Sequence, residues 1–279
     1  MTAAADLRAL LDQLVAPVIA AGAATLAVRA EGIDVDHKQD ASPVTEADRR
    51  AEDILLRALA DIAPGALVVA EERASSEGVP DAATGDFWLV DPLDGTKEFI
   101  RGGTDFTVNV ALVRARQPVL GLVYAPADGR LYLGSTETGA AFARVDDGQP
   151  GARQPLKARP QPVDAAAIKV VASRSHRTPE TEAYLTHYPK ADCVSVGSSL
   201  KFCLVAEGSA DIYPRLGPTM EWDTAAGDAV LRAAGGAVID AAGQPLAYAK
   251  PGFRNGFFVA WGDGGAPPPP APDAVLAAS

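Results

Sequence analysis

The segment Asp91-Pro92-Leu93-Asp94-Gly95-Thr96 sets two carboxylates three residues apart, directly after the apolar run Phe87-Trp88-Leu89-Val90. Pro92 fixes its own φ and brings no N–H, which suits a rigid exit from a strand into a turn. Gly95 permits close backbone approach. Such a segment can aim both carboxylates and the Leu93 carbonyl at one point. It can also turn the Gly95 and Thr96 amides toward an anion if a helical turn starts there. Hard oxygen donors of this kind suit Mg²⁺. The same residue types also make an ordinary acidic turn, so the segment gains meaning only beside the rest of the chain.

Three more acidic positions fall at the ends of expected elements. Glu71-Glu72 follows the short apolar run Val68–Ala70. In Trp222-Asp223-Thr224-Ala225-Ala226-Gly227 a carboxylate precedes an Ala-rich helix, where alone it would serve as an N-cap. Thr45-Glu46-Ala47-Asp48 has the spacing of a capping box at the start of a helix.

Taken in order, Glu71-Glu72, Asp91-Pro92-Leu93-Asp94-Gly95-Thr96 and Trp222-Asp223-Thr224-Ala225-Ala226-Gly227 resemble the motifs of the inositol monophosphatase superfamily of Mg²⁺-dependent, lithium-sensitive phosphatases, over about residues 5–262. The resemblance implies that Glu71, Asp91, the Leu93 carbonyl, Asp94 and Asp223 are metal ligands for two Mg²⁺ ions, with a third, weaker one near Glu71. It implies that Thr96 pairs with Asp48 and orients or deprotonates the attacking water, with Glu71 also counted among the catalytic groups. Glu71, Leu93, Asp94, Gly95, Thr96 and Asp223 would lie against the phosphate. Two divalent ions about 3.5–4 Å apart clamp the attacking and leaving oxygens of an in-line displacement, and no covalent phosphoenzyme is needed.

The second half narrows the branch. Ser173-Arg174-Ser175-His176, Gly197-Ser198-Ser199-Leu200-Lys201 and Tyr213-Pro214-Arg215 are similar to segments of the 3′(2′),5′-bisphosphate nucleotidases, the CysQ-like branch. By that likeness Ser173, His176, Lys201 and Arg215 surround the substrate outside the metal centre. Arg offers a planar fork to phosphate oxygens and Lys a point charge. The implied reaction takes adenosine 3′,5′-bisphosphate to AMP and phosphate, in sulfur metabolism. Other readings stay open: an inositol-phosphate or other sugar-phosphate phosphatase, or a metal- and nucleotide-binding module without turnover. Arg215 has an alternative as the structural partner of Glu221 or another carboxylate, and Ser173–His176 as a plain polar loop.

The elements that must position these residues follow from periodicity. Leu7, Leu10, Leu11, Leu14 and Val18 have helical spacing and predict an amphipathic helix over 4–28. A second helix is expected over 46–60, a short strand at 68–70 and a loop over 73–85. Residues 106–113, 118–125 and 130–134 read as successive antiparallel strands. Beyond them, strands near 168–172, 193–196, 211–214, 237–240 and 257–261 alternate with helices at 179–188, 199–207 and 223–234. That alternation argues α/β layering, and the resemblance sharpens it to the layered α-β-α-β-α sandwich of the inositol monophosphatase and fructose-1,6-bisphosphatase type. A boundary in the Pro- and Gly-rich stretch 146–165 would separate an α+β half (1–155) with most metal ligands from an α/β half (156–264) with the substrate contacts. A Pro-rich tail (265–279) is expected to be disordered.

Composition sets the outer limits. The 279 residues are 48% hydrophobic and 22% charged, which suits a folded globular chain. With 25 basic and 36 acidic side chains the net charge is −11, against a nucleic-acid partner but compatible with a small nucleotide bisphosphate whose charge a metal offsets. Two cysteines, Cys193 and Cys203, are too few for a disulfide framework and read as reduced thiols of a cytoplasmic protein. The N-terminal stretch carries Asp6, Arg8 and Asp12, unlike a signal peptide. No uninterrupted apolar run reaches membrane-spanning length, so no integral membrane segment is expected; a peripheral membrane location stays open. A monomer and a homodimer are both compatible.

Overall fold

The structure is a computed structural model and describes residues 6–38, 43–80, 85–160, 162, 164, 167–172 and 178–264. The first half runs through α1 (Leu7–Glu31), β1 (Val35–His37), β2 (Pro43–Thr45), α2 (Glu46–Ile62), β3 (Leu67–Ala70), α3 (Glu71–Glu77), β4 (Phe87–Asp94) and α4 (Thr96–Ile100). It continues with β5 (Thr107–Arg114), β6 (Gln117–Ala125), β7 (Arg130–Ser135), β8 (Gly139–Asp146), β9 (Gln149–Pro150) and β10 (Gln154–Leu156). The second half holds β11 (Lys169–Ala172), α5 (Pro179–Leu185), β12 (Asp192–Ser195), α6 (Leu200–Ala206), β13 (Ile212–Arg215), β14 (Thr219–Met220), α7 (Ala225–Ala233), β15 (Ala237–Asp240), β16 (Arg254–Asn255) and β17 (Phe258–Trp261).

Among the described residues, the two larger sheets and three helical layers stack in alternation, with β1–β2 and β14–β16 as separate two-stranded pairs. The large sheet has the order β10-β8-β7-β6-β5-β4-β3, and only its β3–β4 pair is parallel. Alternate residues of β4, β5 and β6 point to opposite faces. Trp88, Val90, Val108, Val110, Leu120 and Leu122 meet Leu11, Leu14 and Val18 of α1 and Leu55 and Leu59 of α2. Leu89, Ala111 and Val123 point the other way, into a core with Phe202 and Val205 of α6 and Ala226 and Val230 of α7. Tyr213, Val238, Phe258 and Ala260 of the small sheet, ordered β12-β11-β13-β17-β15, cover the far side of those helices. Tyr184 of α5 covers the outer face through Val170, Ile212 and Val259. The expected α-β-α-β-α sandwich is therefore the architecture observed. A Cβ at Gly227 would come within 2.5 Å of the Phe202 ring, so glycine is what lets α7 lie this close to α6.

Local signals account for the helix starts. Asp6 caps α1 by accepting from the amides of Arg8 and Ala9 at 3.0 and 3.2 Å. Thr45 and Asp48 form the capping box of α2. By length and composition α1 is apolar enough to cross a membrane, as the core helix of a globular protein can also be. Its apolar side chains are instead committed to the core against α2 and the large sheet. The loop expected over 73–85 is instead helical through Glu77. Strand β8, absent from the periodicity reading, pairs with β7 along its length. The Pro-rich tail lies outside the described residues.

Candidate active site

The parallel β3–β4 pair brings the first two acidic motifs together. Ala70 stands opposite Val90 in register, so the residues that follow, Glu71 and Asp91, lie side by side, Glu71 as the chain leaves β3 and Asp91 still paired to β5. The ladder of β4 with β5 is regular to Asp91 and shifts register before Asp94. Pro92 has no N–H to donate, and a register shift at such a residue re-aims the chain. Asp91 Oδ1 accepts from the Leu93 amide at 3.0 Å. Gly95 then takes φ of 98°, a left-handed conformation, and any Cβ there would lie 2.9 Å from the Asp105 carbonyl oxygen. Only glycine makes this turn cheaply, and α4 starts at Thr96.

Asp223 arrives from the α6–α7 layer, on the face of the large sheet to which Leu89 and Ala111 point. It is not the N-cap of α7: Thr224 holds that position, and the Asp223 Oδ2 atom accepts from the Met220 amide at 2.9 Å. Ser199, at the start of α6, donates to the Asp223 carbonyl at 2.7 Å and accepts from Asn109 Nδ2 at 3.0 Å. Asn109 is the register partner of Asp91 on β5. A buried chain of hydrogen bonds therefore ties the sheet that carries Asp91 to the helix start that carries Asp223. Asn109 was not picked out by the sequence, and Ser199 only as part of the segment Gly197–Lys201, because their roles depend on partners 90 and 24 residues away.

Glu71, Asp94, Gly95, Thr96 and Asp223 line one cleft of about 240 Å³, together with Lys201 and Arg215. Asp91 is buried beside it, at 1% exposure. Burial raises the carboxyls of Asp91, Asp94 and Asp223 above the usual carboxylate range, and Glu71 adds repulsion in each case. For Asp94 the nearby Lys201 ammonium opposes the rise. Among the described residues no three acidic side chains already meet at one ligating point. Each has taken another donor: Glu71 Oε1 accepts from Lys38 Nζ at 2.7 Å, Asp91 from the Leu93 amide and Asp223 from the Met220 amide. Hard oxygens in a buried, mutually repelling set fit a divalent cation, which would replace those donors and relieve the repulsion.

Asp48 is 1% exposed. Its Oδ2 atom accepts from the Thr45 amide and hydroxyl, each at 2.7 Å, and Oδ1 faces the Thr96 hydroxyl at 3.3 Å. Thr96 Oγ1 also lies 3.2 Å from the Leu93 carbonyl. Burial raises the Asp48 carboxyl, opposed by the Thr45 hydrogen bonds. The cap and the contact with Thr96 coexist, one on each oxygen.

Lys201 is 4% exposed. Its ammonium donates to the Ser198 carbonyl and sits 5.3 Å from the Tyr213 ring centroid. Burial brings its pKa down to about 8, with Asp94 opposing and Arg215 assisting the fall. Arg215 donates from one terminal nitrogen to the Pro218 carbonyl at 2.8 Å, while its Nε is buried with no hydrogen-bond partner among the described residues. The pairing of Arg215 with Glu221 does not form. Glu221 binds Lys250 Nζ at 2.7 Å and accepts from the Ala249 and Lys250 amides. Ser173 and His176 lie outside the described residues.

The family model described as the inositol monophosphatase family matches residues 6–277. The chain belongs to the inositol monophosphatase family. Within that family it is 44% identical over 253 residues to a protein named 3′(2′),5′-bisphosphate nucleotidase CysQ of Escherichia coli O157:H7, covering 88% of this chain and 98% of that one. The crystal structure of CysQ from Bacteroides thetaiotaomicron superposes with a TM-score of 0.73 at 37% identity, over 91% of this chain and 98% of that chain. An inositol monophosphatase from Anabaena shares the fold, with a TM-score of 0.68 at 24% identity over 92% and 91% of the two chains.

Proposed function

We propose that this inositol monophosphatase family member is a 3′(2′),5′-bisphosphate nucleotidase that acts in the cytoplasm, hydrolysing the 3′-phosphate of adenosine 3′,5′-bisphosphate to AMP and phosphate. The observation that carries the reading is the placement of Lys201 and Arg215, with its unpartnered Nε, in the same cleft as Glu71, Asp94, Thr96 and Asp223. The cleft sets carboxylates that suit a metal beside two cations that suit a second phosphate, with Lys201 close enough to Asp94 and Arg215 close enough to Asp223 to perturb them. The 44% identity to a protein named as this nucleotidase, with the 37% identity to a solved structure called CysQ, supports the choice within the family.

Glu71, Asp91, the Leu93 carbonyl, Asp94 and Asp223 are the residues that would hold Mg²⁺, as two ions with a third, weaker one beside Glu71. Bound there, the metal supplies Lewis acidity to the phosphoryl oxygens and lowers the pKa of water. The chain's own groups do the rest. Thr96 Oγ1 seats the attacking water; as the hydroxyl proton moves to Asp48 Oδ1, a water proton replaces it on Thr96. The raised affinity of buried Asp48 for a proton favours that transfer. The water oxygen bonds to phosphorus, and the bond from phosphorus to the 3′ oxygen breaks. The 3′ oxygen leaves with a proton from solvent. The Gly95 and Thr96 amides face the phosphoryl oxygens, and Lys201 and Arg215 hold the 5′-phosphate.

The test is phosphate release by the purified protein, with Mg²⁺ and with chelator, from adenosine 3′,5′-bisphosphate, its sulfated form and inositol 1-phosphate. A strong preference for the nucleotides is expected. Preference for the inositol ester overturns the substrate assignment, and no turnover of any ester with Mg²⁺ makes the chain a binding module.

A further inference from the structure

Helix α3 begins with Glu71 yet has no cap of its own. Its N-cap residue is Ala70, which offers no side-chain hydrogen bond, and none of its seven residues is buried. A helix this short and exposed owes its position to ties from elsewhere. Two are present. Lys38 Nζ bridges Glu71 and Glu72, at 2.7 Å from each. The other comes from Glu52, one turn along α2 from Asp48: its Oε2 accepts from the Glu72 amide at 2.8 Å and its Oε1 from the Arg73 amide at 2.9 Å.

Glu52 is 5% exposed. A carboxylate is rarely buried this far without a specific task, and here both of its oxygens are spent on backbone amides that a Ser or Asp at position 70 would ordinarily satisfy. The negative charge also lies at the positive end of the helix. Thr45 and Asp48 at the start of α2 and Glu52 one turn later therefore place both Asp48 and the first turn of α3 from a single helix.

We propose that Glu52 is a positioning residue: by capping α3 from a distance it holds the Glu71 carboxylate at the mouth of the cleft, and so sets how readily the acidic site accepts its divalent ion. This rests on the metal-binding role proposed for Glu71. Glu52 itself contacts the amides of Glu72 and Arg73, not the reacting atoms.

The experiment uses the full chain and two readouts: amide hydrogen exchange at Glu72 and Arg73 without metal, and the Mg²⁺ concentration for half-maximal binding by calorimetry, with kcat and KM for nucleotide measured alongside. Glu52 also lines an open cleft of about 650 Å³ between α2 and α3, so water can reach the amides and Glu52→Ala should still fold. In Glu52→Ala, exchange at the two amides accelerates and Mg²⁺ binding weakens, each about five- to tenfold, as for loss of one side-chain cap. KM for nucleotide at saturating Mg²⁺ stays within twofold. Adding Ala70→Ser restores a local cap and recovers most of both losses; Glu52→Gln, which keeps one acceptor, falls between. If Glu52→Ala does not fold, the same readouts on Glu52→Gln decide. Unchanged exchange overturns the capping role whatever the enzyme's substrate proves to be. Faster exchange with unchanged Mg²⁺ binding, or no recovery with Ala70→Ser, overturns the link from the cap to the ion.

Discussion

Replacing Lys201 with methionine separates substrate recognition from chemistry. The side chain is buried, its ammonium touches the Ser198 carbonyl, and it shares the cleft with Arg215. Methionine keeps most of the volume and removes the charge. Loss of a charge-assisted hydrogen bond to phosphate costs about 1.5–3 kcal/mol, so kcat/KM for adenosine 3′,5′-bisphosphate should fall about 10- to 150-fold. For adenosine 3′-monophosphate, which has no 5′-phosphate, it should change less than about threefold. Stability should move little. The Ser198 carbonyl loses its donor, but a buried charge is removed as well. The pH dependence has a definite sign. With its pKa near 8, Lys201 loses its proton as pH rises through that value, so the wild-type KM for the bisphosphate rises there and the K201M profile stays flat. A lowered lysine pKa also disfavours folding below pH about 8, a cost that fades from there toward the ordinary value of 10.5. The metal-free wild type therefore gains stability from this group across that window and K201M does not. The assay is steady-state kinetics with both substrates from pH 6.5 to 9.5, with thermal melts alongside. An equal loss for both substrates refutes the placement of the second phosphate at Lys201.

Thr96→Val removes the hydroxyl between water and Asp48 and should lower kcat by about 10²–10⁴-fold with KM little changed; a loss confined to KM would mean that Thr96 only binds. Asp94→Asn should abolish Mg²⁺-dependent turnover. It also removes a member of a repelling buried set, so the metal-free variant should melt no lower than wild type in calorimetry. Saturating Mg²⁺ should stabilise the wild type by about 2.7 kcal/mol at a hundredfold excess over Kd, reversed by chelator. Millimolar Li⁺ should inhibit turnover by competing at the same carboxylates, read as loss of phosphate release.

Much of the architecture is legible in the chain itself because it rests on local rules. The heptad-like apolar spacing of Leu7 to Val18 makes a helix whichever sheet it covers, and the apolar stretch Phe87–Val90 makes a buried strand. Thr45 and Asp48 can cap only the helix that follows them. The acidic motifs, in their order along the chain, identify the superfamily before any coordinates are considered. The tight turn at Gly95 and the re-aimed exit at Pro92 are likewise written in residue types.

What the chain by itself does not determine is who meets whom. Glu71 and Asp91 are neighbours because β3 and β4 run parallel in one register, and Asp223 joins them because Ser199 links its backbone to Asn109. Local spacing casts Asp223 as a helix cap and 73–85 as loop; the fold gives the cap to Thr224 and builds α3 on Glu52, from 20 residues away. It also gives Glu221 to Lys250 and leaves Arg215 facing the cleft. Secondary structure follows from propensity and periodicity within a few turns of chain. Hydrogen-bond and charge partners depend on distances across sheets, and those are set only once the layers have packed.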